Sequence, residues 1–261
     1  MTTPPPLFTP DWPAPANARA LCTLRGASAA DGASAAPREF FNLADHVDDA
    51  PDAVAANRAR LRRAMNAQPV FLNQVHGPDA VQIGVGAPNG LWGDAAITDQ
   101  PGVACAVLVA DCLPVLFADG GGRAVAAAHA GWRGLAAGVL ERTLERMMPL
   151  AAGPRDAMLA WLGPCIGPRV YEVGRDVRAA FLAADAGAGA CFQRLGAGRF
   201  LADLPALARR RLAAQGVTRV YGNDGGEDWC TFTRRERFFS YRRDEAALGG
   251  TGRMAACIWL A

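Results

Sequence analysis

The segment Ala124-Val125-Ala126-Ala127-Ala128-His129-Ala130-Gly131-Trp132-Arg133-Gly134 is the one around which the other elements can be placed. Its first half is an unbroken run of small apolar residues, which is typical of a strand buried on both faces. Glycine and a helical pattern follow His129, so the sequence predicts a strand that turns into a helix running to Met148. Strand ends and helix N-termini often border a crevice. We therefore interpret His129 as a metal ligand and Arg133 as an anion clamp. The alternative for Arg133 is a surface pair with Glu141 or another acid.

Two further apolar runs end in metal-binding residue types. Val103–Ala110 leads to Asp111 and Cys112, and Pro69–Val75 leads to His76. Three predicted strand ends thus carry two imidazoles and one thiol, which are donor types that zinc prefers. Three protein ligands leave a fourth position open, as in a catalytic zinc site. The alternative is two core histidines and a buried thiol, with no metal.

Other polar residues near these positions have candidate roles of their own. Asp111 and Asp94 are candidates for general acid or base work, or for hydrogen bonding to a ligating histidine. A strand-end cap or a turn residue is the alternative for each. His46 has acidic neighbours and is either a fourth metal contact or an ordinary loop histidine.

The composition excludes several classes of protein. The chain has 261 residues, a net charge of +2, three histidines and no lysine. A missing lysine excludes Schiff-base enzymes and the usual P-loop. Three histidines are too few for a multicopper oxidase centre. The small net charge argues against nucleic-acid binding, and no apolar run is long enough to span a membrane. Seven cysteines without regular spacing indicate reduced thiols.

The remaining patterns predict one mixed α/β domain. Helices are expected at 52–66, after the Tyr171 turn to about 184, and at 203–215, with strands at 19–24, 113–117, 157–162, 217–221 and 253–260. The alternation lacks a strict βαβ period, which favours a single-domain mixed β-sheet sandwich flanked by helices. Residues 1–18 form a proline-rich N-terminal extension, and 19–261 the catalytic domain. The start lacks the pattern of a signal peptide, so we expect a cytoplasmic protein.

Five separated motifs resemble the YfiH family, also called the multicopper polyphenol oxidase or laccase-domain family. They are Leu72–Gly77, Ala110–Phe117, Ala128–Gly134, Trp161–Pro168 and Phe239–Asp244, and the resemblance runs from about Arg25 to the C-terminus. Cys165 differs from the alanine common in the family. The segment Glu245–Gly250 reads as an insertion that lengthens a loop.

The resemblance implies a zinc ion held by His76, Cys112 and His129, with copper as the alternative metal. It also implies a purine nucleoside phosphorylase that acts on adenosine, inosine or methylthioadenosine and deaminates adenosine. Asn42, Gln74 and Arg242 lie in or beside the matching motifs and are our candidates for substrate contacts.

Other functions and partners stay open at this stage. The alternatives are an amidase that removes L-serine from a muramyl peptidoglycan precursor, a single-copper polyphenol oxidase, and an interaction domain with a structural metal. The expected partners are a purine nucleoside and phosphate, without nucleic acid or membrane, in a monomer or small homo-oligomer.

Overall fold

The computed structural model describes residues 4–261. In chain order its strands are β1 (Leu7–Phe8), β2 (Ala18–Thr23), β3 (Gln68–Phe71), β4 (Ala80–Gln82), β5 (Ala95–Thr98), β6 (Val103–Val109), β7 (Leu113–Ala118), β8 (Val125–Ala130), β9 (Leu159–Leu162), β10 (Glu172–Val173), β11 (Phe192–Gly196), β12 (Arg199–Ala202), β13 (Arg219–Gly222) and β14 (Met254–Leu260). The α-helices are α1 (Pro51–Met65), α2 (Trp132–Ala137), α3 (Val139–Met147), α4 (Arg175–Ala184), α5 (Leu204–Ala214) and α6 (Tyr241–Leu248).

Two large mixed sheets stack against each other. One has the strand order β1-β2-β14-β6-β3 and the other β13-β9-β7-β8-β5-β4, while β10-β12-β11 form a small third sheet. Apolar side chains from both large sheets fill the space between them. Helices α3, α4 and α5 cover the outer face of the six-stranded sheet, and α1 covers that of the five-stranded sheet. The predicted single-domain sandwich flanked by helices is confirmed.

Strand β8 is buried on both faces, which explains why it carries no polar residue before the histidine. Ala126 and Ala128 pack towards the helices, whereas Val125 and Ala127 pack into the core between the sheets. Because side chains alternate along a strand, His129 belongs to the same face as Ala127. The histidine therefore sits at one end of the core between the sheets, and it is only 3% exposed.

Three predicted elements were wrong in detail. The helix expected from Trp132 to Met148 is two helices, because the chain turns at Gly138 with a φ of 98°. Residues 245–248 belong to helix α6 instead of a lengthened loop, since Ser240 caps its start and Gly249 ends it. The strand expected to end at His76 ends at Phe71.

Part of the predicted N-terminal extension packs on the sandwich. Leu7 and Phe8 form β1 and pair with Thr23 and Cys22 of β2. Residues 1–3 of that extension lie outside the described residues. Within the range 4–261, no helix combines the length and apolar character needed to cross a bilayer.

Candidate metal centre

Three side chains converge at one end of the sandwich. His129 is in β8, Cys112 is in the turn between β6 and β7, and His76 is in the loop between β3 and β4. One ligand atom from each of them lies within 4.8 Å of the other two. The two imidazole rings meet edge to face, with centroids 4.7 Å apart. Residues that are far apart in sequence thus present two nitrogens and a sulfur to one point.

The position of His76 depends on a carboxylate and not on a strand end. The backbone N–H groups of Val75, His76 and Gly77 all donate to the carboxylate of Asp94, at 2.8 to 3.1 Å. His76 has a φ of 60°, in the left-handed region that non-glycine residues seldom adopt. Three charge-assisted hydrogen bonds stabilise this turn and hold the His76 side chain towards Cys112 and His129.

The same carboxylate orients the second histidine. Oδ1 of Asp94 lies 2.8 Å from Nδ1 of His129, and Asp94 is fully buried. Burial raises the pKa of Asp94, but the hydrogen bond and charge of His129 outweigh it, so the net pKa lies below the usual value. With Nδ1 facing an ionised carboxylate, Nε2 of His129 is the nitrogen left for a metal.

Cys112 has the electrostatics of a thiolate ligand. Burial raises its pKa, but the two histidines more than compensate, and the net pKa is about 6. Burial lowers the pKa of His129, but Cys112 and Asp94 raise it further, to about 9, so without a metal the thiolate lies beside an imidazolium. A metal ion would replace the imidazolium proton on binding. The protein surroundings therefore favour the negative sulfur that metal binding requires.

Gly131 keeps the space between the three side chains free. A Cβ atom at this position would lie 2.8 Å from Sγ of Cys112 and 3.0 Å from Cδ2 of His76. Gly134 has a similar restriction, because a Cβ there would lie 2.8 Å from the carbonyl oxygen of Gly77. The two glycines let helix α2 start directly against the site.

Asp111 is fixed by two donors from the other end of the chain. Its Oδ1 accepts a hydrogen bond from the Thr231 hydroxyl at 2.6 Å, and its Oδ2 accepts one from the Arg242 backbone N–H at 2.7 Å. Burial dominates over these hydrogen bonds and raises the pKa of Asp111. The residue has a φ of 90°, so the turn that presents Cys112 depends on these contacts.

The two predicted anion-binding arginines lie in different settings. The exposed guanidinium of Arg133 lies over the ring of Trp132, 4.5 Å from its centroid. Its expected alternative partner, Glu141, pairs instead with Arg211 at 2.7 Å. The guanidinium of Arg242 lies 5.4 Å from the Tyr171 ring and donates to the carbonyl oxygen of Glu172.

The other two residues proposed for substrate contact make hydrogen bonds within the protein. The amide of Asn42, which is fully buried, donates to Ala44 and Asp49 and accepts from Ala44 and Arg253. The amide of Gln74 exchanges two hydrogen bonds with the backbone of Leu108 in β6. These bonds use all four hydrogen-bonding positions of Asn42 and one donor and one acceptor of Gln74.

Sequence reasoning missed Arg253, which lies close to the site. Burial lowers the pKa of its guanidinium, and attraction to Cys112 and Asp111 opposes this effect. Its backbone N–H is held by Asn42, and its side chain donates to the carbonyl oxygens of Thr251 and Gly252. In the sequence Arg253 is a single arginine before the last strand, and it stands at no characteristic spacing from the candidate ligands.

His46 is remote from this constellation. Its side chain is 62% exposed and lies 3.5 Å from Asp45, and it is not part of the metal-ligand group. Among residues 4–261, the His76, Cys112 and His129 group is the one cluster of three or more metal-binding side chains. With three histidines in the chain, the ligands for several copper ions are missing.

Comparison with known proteins gives consistent results. The family described as multi-copper polyphenol oxidoreductase laccase matches residues 23–261. A purine nucleoside phosphorylase of Pseudomonas aeruginosa is 50% identical over 254 residues, covering 97% of this chain and 98% of that protein. Purine nucleoside phosphorylase YfiH of Escherichia coli K12 is 48% identical over 257 residues, with the same coverage.

Solved structures show the same fold. A Neisseria meningitidis protein superposes with a TM-score of 0.87 at 46% identity, covering 97% of this chain and 98% of that one. YlmD from Geobacillus stearothermophilus superposes with a TM-score of 0.83 at 30% identity, covering 94% and 92%.

Proposed function

The chain belongs to the multi-copper polyphenol oxidoreductase laccase family, and we propose that it is a zinc-dependent purine nucleoside phosphorylase. The observation that carries this proposal is the convergence of His76, Cys112 and His129 in a chain so similar to proteins of that name. The proposed substrates are adenosine, inosine and methylthioadenosine with phosphate. Adenosine deamination is the second activity that we propose for the same centre.

The donor set fits a zinc ion. A thiolate and two neutral imidazoles are among the ligands that zinc prefers, and three ligands leave one position for a reactant. Gly131 leaves open the space that a side chain would fill, and Asp94 supplies the partner that a ligating histidine usually has. A zinc ion held by these residues would supply Lewis-acid charge for phosphorolysis and for deamination.

Phosphorolysis exchanges one bond at the sugar for another. A phosphate oxygen forms a bond to the anomeric carbon while the bond from that carbon to the purine nitrogen breaks, and the purine takes up a proton. Phosphate must therefore be held beside the sugar with its negative charge balanced. Arg133 and Arg242 are the residues that we propose for this role, since arginine presents a planar fork of donors to phosphate.

Arg253 adds positive charge close to the site. It is attracted electrostatically to both Cys112 and Asp111, and its side chain is anchored on two backbone carbonyls. An anchored cation needs little reorganisation when negative charge develops nearby.

Asp111 is our candidate for proton transfer to the departing purine. It is adjacent in sequence to Cys112, and its Oδ2 atom lies 2.7 Å from the backbone nitrogen of Arg242. The proposed phosphate arginine and the proposed proton donor are therefore held together. Asp94 acts differently, because it binds the His129 ring and the His76 loop and so positions the ligands.

The proposal is tested with metal analysis and a nucleoside screen. Protein loaded with one zinc per chain is expected to release adenine from adenosine and hypoxanthine from inosine only when phosphate is present. Cys112→Ala is expected to lose both the zinc and this activity. The control is Cys191→Ala, which removes another buried free thiol that is not a proposed ligand, and this variant is expected to keep both. Zinc-loaded protein that releases no base with phosphate would refute the proposal.

A further inference from the structure

Cys165 and Cys230 are paired residues on two adjacent segments. They form an isolated parallel bridge, in which Cys165 donates its N–H to the carbonyl of Trp229 and accepts one from Thr231. Neighbouring extended segments lie about 5 Å apart, and paired residues present their side chains to the same face. Disulfides form at Cα separations of this size. Within residues 4–261, no other two cysteines stand opposite each other in paired strands or bridges.

The two sulfurs have different surroundings. Sγ of Cys230 accepts a hydrogen bond from the N–H of Gly167 at 3.2 Å, and a Cβ atom on that glycine would lie 3.0 Å from the same sulfur. Sγ of Cys165 accepts one from the amide of Asn223 at 3.4 Å. Burial raises the pKa of the Cys165 thiol, so it stays protonated at rest. Cys230, and not Cys165, lines the cavity described next, so Cys230 is the thiol that a dissolved oxidant reaches first.

Cys230 also has a route to solvent. It lines a surface cavity of about 230 Å³ together with Gly167, Pro168, Gly226 and other residues. A water molecule occupies about 30 Å³ in the liquid, so a hydroperoxide of similar size fits in this cavity. Cys165 does not line this cavity, and both thiols are buried, with Cys230 3% and Cys165 1% exposed.

The residues that follow these cysteines hold the turn before the metal ligand. Ile166 donates its N–H to the carbonyl of Asp111 at 2.9 Å, and the Thr231 hydroxyl binds Oδ1 of Asp111 at 2.6 Å. Asp111 is adjacent to Cys112 and has a φ of 90°. A change in the spacing of the two cysteines is therefore passed to both contacts of Asp111.

We propose that Cys165 and Cys230 form a redox-sensitive pair that a hydroperoxide oxidises to a disulfide. The Cys230 thiol attacks the terminal oxygen of the peroxide, giving a sulfenic acid and, with hydrogen peroxide, one water. The Cys165 thiol then attacks the Cys230 sulfur, forms the S–S bond and releases a second water. Two thiols and one hydrogen peroxide thus become one disulfide and two waters. Bond formation moves the two sulfurs towards each other and away from their present donors, the Gly167 N–H and the Asn223 amide. We expect this rearrangement to weaken the adjacent contacts of Ile166 and Thr231 with Asp111 and so to loosen the turn that presents Cys112.

The test is peptide mapping of the zinc-loaded protein after hydrogen peroxide treatment, with alkylation of the remaining thiols. We expect two fewer alkylated cysteines than the seven of the reduced chain, and one cross-link between the peptides carrying positions 165 and 230. Dithiothreitol should restore both thiols. Cys165→Ala and Cys230→Ala should each abolish the cross-link, whereas Cys191→Ala should leave it intact.

Coupling to the metal centre has a separate readout. The disulfide form is expected to bind zinc roughly tenfold more weakly in a chelator competition. This is the lower end of the affinity loss, about 10- to 100-fold, that follows when a residue hydrogen-bonded to a metal ligand is mutated. Peroxide-treated Cys165→Ala should keep the affinity of the untreated variant. Oxidation confined to Cys112, or a cross-link between other cysteines, would overturn the proposal, and unchanged zinc affinity of the disulfide form would overturn the coupling. Neither readout depends on phosphorolysis, so the result stands apart from the proposed function.

Discussion

The carboxylate of Asp94 binds Nδ1 of His129 at 2.8 Å through the same Oδ1 atom that accepts the backbone N–H of His76 at 2.9 Å. One buried side chain thus sets the ring of one proposed ligand and the loop of the other. The arrangement explains how a strand residue and a loop residue reach the same point without a shared element. It also makes the metal centre sensitive to this one residue.

Asp94→Asn is expected to weaken zinc binding about 10- to 100-fold, because an amide nitrogen would face N–H groups that now meet a carboxylate. Chelator competition measures the change. Asp79→Asn is the matched control, since Asp79 is nearby and exposed. Equal zinc affinity of the Asp94 variant and the parent protein would contradict the assigned role.

Gly131→Ala is expected to abolish metal binding while the fold is retained. The added Cβ would collide with Sγ of Cys112 at 2.8 Å, and Gly131 has a φ of −62°, which alanine adopts without strain. Metal content and circular dichroism measure the two properties. Gly153→Ala is the control, because a Cβ there meets its nearest neighbour at an ordinary 3.4 Å. Full zinc occupancy in the Gly131 variant would show that the site has more room than the structure indicates.

Thr231→Val is expected to cost about 1–3 kcal/mol of unfolding free energy, because it leaves Oδ1 of Asp111 buried without its donor. It should also weaken zinc binding through the turn at Cys112. Thr143→Val removes a hydroxyl that donates to the Val139 carbonyl at 2.6 Å inside α3, a bond that involves neither Asp111 nor a proposed ligand. Denaturant unfolding and zinc titration separate the two variants, and a loss of zinc affinity in both would refute a specific role for Thr231.

Asp244 is expected to make stability depend on pH at the acid end. Burial raises the pKa of Asp244, but its ion pair with Arg243 at 2.6 Å outweighs this, so the net pKa lies below the usual value of an aspartate. A carboxyl with a depressed folded pKa stabilises the fold above its unfolded value, and the contribution is lost as the pH falls through the folded value.

Asp244→Asn should therefore lower the unfolding free energy near neutral pH by about 1–3 kcal/mol, and the difference from the parent should shrink as the pH falls through the lowered pKa of Asp244. Urea unfolding at several pH values measures it, with the exposed Asp156→Asn as control. A difference that stays constant with pH would show that the ion pair makes no contribution.

The local sequence predicted the strands that are continuous runs of apolar residues. The apolar runs of β6, β7 and β8 are buried on both faces, and each carries the residue types that such strands need. Cys112 and His129 could be identified as candidate ligands because each is a metal-binding residue type at the end of an apolar run. Asp94 could be named as a candidate partner of a histidine because a ligating histidine usually donates its second N–H to a carboxylate, but the sequence did not distinguish this role from that of a turn residue.

Other elements could not be predicted because their signals are tertiary. Helix α6 has no apolar stripe, and its one buried residue in the helix is Asp244. His76 was placed at a strand end, whereas its position depends on Asp94, 18 residues away. The roles of Asn42 and Gln74 in binding backbone groups of distant segments likewise leave no pattern in the local sequence.

The order of strands in the five-stranded sheet has a consequence for synthesis of the chain. β14 lies between β2 and β6 and pairs antiparallel with both. The ribosome delivers β14 after its two neighbours, so a nascent chain carries two open strand edges until then, and open edges promote aggregation. A premature stop codon shortly before residue 254 would remove β14 and leave that gap permanently, so loss of this strand is expected to be as damaging as loss of the metal centre.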